Sequence, residues 1–104
     1  MLDNYRIAIT KEAQSDLEGI AKYIRVDSPQ NAVLVSKAIS AAIDALSSFP
    51  TRFKSVSRSR RRKSAIHAMV VWPFIVYYRV EARNEMVFVL NIIHGARRQP
   101  RRFG

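Results

Sequence analysis

Apolar and polar positions alternate in "NYRIAIT" near the start of the chain, with Tyr5, Ile7 and Ile9 on one face and Arg6 on the other. That period of two predicts a short first strand. The period then changes: Ala13, Leu17, Ile20, Ala21 and Ile24 recur at three- and four-residue spacings, the stripe of an amphipathic helix of roughly sixteen residues. Thr10 is placed to cap it, and Glu12 and Asp16 sit where the helix dipole favours acids. "DSP" ends this helix, and Ser28 and Pro29 supply the N-cap and first turn of another. The second stripe is Ala32, Val35, Ile39, Ala42, Ile43 and Leu46, over roughly twenty residues, and Pro50 marks its end. Helices joined so tightly must lie antiparallel.

From Thr51 to Lys63 the pattern is polar and basic, as in a loop. Three strand-like runs follow, over Ser64–Val70, Phe74–Glu81 and Met86–His94, divided by Pro73 and by "EARNE". The predicted order is β-α-α-β-β-β. It makes an α+β fold, an antiparallel helical hairpin packed on one face of a small, mainly antiparallel sheet. Leu17, Ile20, Ile39, Ile43, Val76, Tyr78, Leu90 and Ile92 are expected to join hairpin and sheet. In the run Phe74–Glu81, the set Phe74, Val76, Tyr78 and Val80 should meet the helices. Ile75, Tyr77, Arg79 and Glu81 then occupy a face with no helix left to cover it. That face is either a binding surface displaying Tyr77 and Arg79, or a solvated one on which Arg79 pairs with a neighbouring glutamate.

Length and composition narrow the class. A chain of 104 residues suits one domain, 1–104, because a second would be too small to bury a core. Cysteine is absent, which excludes disulfides, thiolate metal sites and cysteine nucleophiles. The N-terminus lacks the pattern of a secretion signal, and the longest apolar runs fall far short of the ~20 residues that span a bilayer. A soluble cytoplasmic protein is expected.

Charge changes the picture more. The net charge is +10, but residues 1–50 carry five basic and six acidic groups, a sum of −1. Residues 51–104 carry thirteen basic groups against Glu81 and Glu85, a sum of +11. So uneven a distribution predicts a cationic face and an anionic partner. Two runs hold most of the charge: "SRSRRRK", with Arg58, Arg60, Arg61, Arg62 and Lys63, and "ARRQPRRF", with Arg97, Arg98, Arg101, Arg102 and Phe103. Each is long enough to contact phosphates or an acidic protein segment, and together they bracket the same three strands. With only His67 and His94 and no cysteine, no metal site is expected, and no phosphate-cradling glycine loop or other cofactor motif is present. His94, at a strand end, serves as an acid–base group only if a substrate comes within reach. His67, in mid-strand, has the weaker claim.

Read together, "ITKEAQSDLEGIAKYI", the second helix closing on "ALSSFP", the strand with "VYYRV" and the final "VFVLNIIHGARRQP" resemble the RelE/ParE superfamily of toxins from type II toxin–antitoxin modules. The resemblance covers nearly the whole chain, and its most specific part is the hydrophobic strand closing on His-Gly-x-Arg-Arg. Arg79 matches the family's strand arginine, and His94, Arg97 and Arg98 match its tail. The resemblance implies a target-binding set of Arg79, His94, Arg97, Arg98, Arg101, Arg102 and Phe103. It also implies an acidic, partly disordered cognate antitoxin, through which alone operator DNA is met. RelE-like members are ribosome-dependent mRNA endonucleases, a reading in which Arg79 and His94 are catalytic. ParE-like members inhibit DNA gyrase without chemistry of their own. The long hairpin resembles the ParE-like members. So does the missing catalytic tyrosine: no tyrosine follows the Arg79 strand, and Phe103 cannot relay a proton.

Overall fold

The computed structural model describes residues 4–58 and 65–95. The first strand, β1 (Arg6–Ile9), leads through Thr10 into α1 (Lys11–Asp27). The Thr10 hydroxyl accepts the Ala13 N–H at 3.1 Å and so caps the helix. Ser28 serves both helices: its N–H donates to the Ile24 carbonyl and its hydroxyl accepts the Asn31 N–H at the start of α2 (Pro29–Asp44). A connection of one residue folds the two helices back on each other. The second helix is shorter than its pattern suggests, because its last turn tightens into a 3-10 turn at Ala45–Ser47, which still buries Leu46.

The sheet has five strands in the order β1-β5-β4-β3-β2, with β2 at Ser55–Arg58, β3 at Ala65–Val71, β4 at Phe74–Glu81 and β5 at Met86–His94. Only β1 and β5 pair in parallel; the other pairs are antiparallel. The sequence reading had β2 as loop. This edge strand has no apolar alternation to betray it, since its pairing is backbone-driven and its outer edge faces away from the sheet. Residues before it are tied down by long-range bonds: the His67 ring nitrogen Nδ1 lies 2.8 Å from the Phe53 carbonyl, and the Ala68 N–H donates to the Lys54 carbonyl.

Both helices lie on one face, where Ala13, Ile39, Ile43 and Leu46 pack with Met69, Phe74, Val76, Tyr78, Val87, Val89 and Ile92. Leu17 and Ile20 pack against that cluster from its margin. Leu90 departs from expectation. The β4–β5 register shifts between Tyr77 and Tyr78, whose partners are Asn91 and Val89, so Leu90 is the extra residue of a bulge. It is buried, but in a second cluster with Ile66 and Tyr77 on the opposite face. That face therefore does not display Tyr77 and is partly covered by its own apolar side chains. Tyr77 is 1% exposed, hemmed in by Ile66 and Leu90 with Ala68, Ile75, Phe88 and Ile93 around them.

Candidate functional site

Strand β4 positions Arg79 on the face away from the helices. Its guanidinium lies 4.3 Å from the centroid of the Phe88 ring, a cation–π contact, and 3.3 Å from the Glu81 carboxylate. Its side chain is only 12% exposed. Of the two readings open from sequence, the pairing with a neighbouring glutamate is the one observed, and the arginine is packed rather than displayed.

His94 ends β5 opposite Phe74 in the register, on the helix side of the sheet. Its ring meets Phe74 edge-on, with centroids 5.6 Å apart. Arg79 and His94 thus occupy opposite faces of the sheet. They are also separated along it, because Arg79 lies five residue steps along β4 from Phe74, a rise of about 17 Å.

His94 stands at one end of a cleft of about 880 Å³ between the helical hairpin and the ends of β4 and β5. Ile20, Ile24, Val35, Phe74 and Ile92 give it apolar walls, and Ser15, Asp16, Tyr23 and Asn31 supply polar atoms. A groove beside the apolar hairpin is expected from the sequence, but not these walls, because the cleft exists only where α1 meets the far end of β5. Asp16 was read as a dipole-complementing acid. It lies past the first turn of α1, and its carboxylate accepts the Ile92 N–H instead.

The two central tyrosines are structural. Tyr78 is fully buried, stacks on His67 with centroids 5.3 Å apart, and donates to the Pro50 carbonyl. Burial pushes its phenol up to about 12, partly opposed by the Arg52 charge and a backbone hydrogen bond from Phe53. Burial also raises Tyr77. Both phenols stay neutral at physiological pH, and neither is exposed enough to work on a substrate, so Tyr77 is not the surface contact that the sequence suggests. His67 is the one buried polar side chain among the described residues, and its neighbours make it a clamp for the Pro50–Phe53 segment.

Arg60, Arg61, Arg62, Lys63, Arg97, Arg98, Arg101, Arg102 and Phe103 lie outside the described residues, as does the side chain of Arg58, whose backbone closes β2. Among the described residues no group of three or more His, Cys, Asp or Glu could hold a metal ion. No described helix is long and apolar enough to cross a membrane.

Comparison with known proteins agrees with this architecture. Residues 7–99 match the family model described as the ParE toxin of the type II toxin–antitoxin system, parDE. Among solved structures, the fold is similar to a chain of the chromosomal ParDE toxin–antitoxin system from P. aeruginosa, with a TM-score of 0.65 and 20% identity. The match covers 88% of this chain and 96% of that one. It is also similar to a chain of the archaeal RelE–RelB complex from Pyrococcus horikoshii, with a TM-score of 0.66, 15% identity, and coverage of 91% and 99%. A chain of the RelBE2 toxin–antitoxin complex from Mycobacterium tuberculosis matches with a TM-score of 0.59, 21% identity, and coverage of 91% and 95%. Among curated proteins, no sequence matches the chain.

Proposed function

Because the chain belongs to the ParE toxin family of type II toxin–antitoxin systems, we propose that it acts by binding: it inhibits DNA gyrase, has no chemistry of its own, and is held inactive by a cognate antitoxin. The observation that carries this reading is the separation of Arg79 from His94. A nuclease needs its cationic and acid–base groups within hydrogen-bond reach of the same reacting atoms. Here one is packed between Phe88 and Glu81 on one face and the other lines a cleft on the opposite face. A toxin that only binds has no such requirement.

The antitoxin is an acidic, partly disordered chain, and its amphipathic segment occupies the cleft. Ile20, Ile24, Val35 and Phe74 receive its apolar side, and the net charge of +10 favours an acidic one. Operator DNA is met only through that complex. The second reading is ribosome-dependent mRNA cleavage, favoured by His94, which is exposed and lines the cleft. Two assays side by side separate them: supercoiling by purified gyrase, and translation-dependent mRNA cleavage. Inhibition of supercoiling with no cleavage is expected, and the reverse pattern refutes the proposal. High-level expression without antitoxin should arrest growth.

A further inference from the structure

The turn between β3 and β4 holds the single tryptophan of the chain, and Trp72 is 86% exposed. No large apolar side chain among the described residues is more exposed. An indole is among the largest apolar surfaces a chain can bury, and this fold leaves it in water. The turn beneath it is fixed. The Gly95 N–H donates to the Pro73 carbonyl at 2.8 Å, and buried Phe74 packs edge-on against His94. An aromatic ring held on so firm a base loses little conformational freedom when a partner covers it. Val70, two residues earlier, is also exposed at 62%.

The turn belongs to the half of the chain, residues 51–104, that carries thirteen basic groups against two acidic ones, a balance that favours an acidic partner. Tryptophan and arginine are the residue types that dominate the binding energy of protein interfaces. Trp72 is also absent from the lining of the cleft, to which its neighbour Pro73 contributes. An occupant of the cleft has no need of it.

Resting on the reading of the chain as a toxin, we infer that Trp72 anchors a second docking surface, used for the cellular target and dispensable for the antitoxin. The partner it fits is an acidic protein surface with an apolar pocket. Nucleic acid fits less well, because single-strand platforms repeat aromatic side chains along a groove, whereas Trp72 is flanked by aliphatic Val71 and by Pro73.

As the only tryptophan, Trp72 reports on itself. Adding purified gyrase to the full chain should shift its emission to shorter wavelength. Trp72→Ala should lose at least about 30-fold in supercoiling inhibition, the lower bound for a hot spot. It should keep the parent's melting temperature and its affinity for the antitoxin. Unchanged emission on a gyrase that the chain inhibits overturns the proposal. So does a shift produced by a single-stranded oligonucleotide and not by gyrase, or a loss of antitoxin affinity in Trp72→Ala. If the parent arrests growth without inhibiting gyrase, the gyrase reading fails by itself and the arrest judges Trp72: relief by Trp72→Ala upholds the surface, full arrest overturns it. Should that variant fail to fold, Trp72→Gln, which puts an uncharged polar side chain on the exposed turn, takes its place.

Discussion

The Asp16 carboxylate reaches from α1 to the backbone N–H of Ile92 and accepts it at 2.9 Å. It does so where β5 has lost its neighbour, since β1 ends at Ile9, opposite Val89. Just before it, the Thr10 N–H and hydroxyl reach the Val89 carbonyl, and the hydroxyl also approaches that of Leu90. The start of α1 therefore completes the hydrogen bonding of a strand that β1 leaves half paired. Asp16→Ala should cost about 1–3 kcal/mol, the usual penalty for orphaning a partly buried donor with a charged acceptor. Asp16→Asn, which retains an acceptor, should cost less. Urea denaturation measures both, and the Ile92 amide should exchange with solvent faster in the alanine variant alone.

Tyr78 makes stability depend on alkaline pH. In the folded chain its phenol holds its proton up to about 12, whereas in the unfolded chain it ionises near its ordinary value of about 10. Between those limits the unfolded state has released a proton that the folded state keeps, so stability falls as pH rises. The contribution is complete below pH ~10, and its loss amounts to something on the order of 2 kcal/mol by pH ~12. Tyr78→Phe should lower stability at neutral pH by about 1 kcal/mol through the lost bond to Pro50, yet flatten the alkaline limb. Melting curves across pH 9 to 12 test both effects, with Tyr77 leaving a smaller residual slope.

Ile43 lies at the joint of hairpin and sheet and is 2% exposed. Truncation to alanine should cost ~2–5 kcal/mol, from lost transfer energy and the cavity left behind. That is a large share of the ~5–15 kcal/mol that holds a typical domain. Denaturant titration of Ile43→Ala checks the assignment of the helix face; a midpoint equal to the parent's would refute it.

The residues that set the fold were legible because local pattern and tertiary role coincide in them. Thr10, Ser28 and Pro29 cap helices by their own chemistry, and the spacing of Ala13 to Ile24 and of Ala32 to Leu46 marks the buried stripes. The limits of β4 and β5 were equally plain, with Pro73 on one side and the turn at Glu81–Glu85 on the other. Strand β2 escaped because a polar edge strand carries no alternation. Leu90 was placed on the wrong face because one bulged residue inverts the parity of every position beyond it. Alternation along Phe74–Glu81 was enough to put Arg79 on the face away from the helices, but its stacking on Phe88 and the contact of His94 with Phe74 depend on partners that spacing alone does not supply.

The proposal that the chain works by contact and not by proton transfer is tested at its tail. Arg97 and Arg98 follow the last strand, so Arg97→Ala/Arg98→Ala should leave the melting temperature almost unchanged while greatly reducing toxicity. Cutting the chain after Gly95 should do the same. The most direct measurement is gyrase supercoiling titrated with the parent, His94→Ala and Arg97→Ala/Arg98→Ala, beside ribosome-dependent mRNA cleavage by the same three proteins. The parent and His94→Ala should inhibit supercoiling alike, the arginine pair variant should not, and none of them should cleave mRNA. Cleavage by the parent that falls ~10²–10⁴-fold in His94→Ala, the range of general acid–base help, would contradict the proposal.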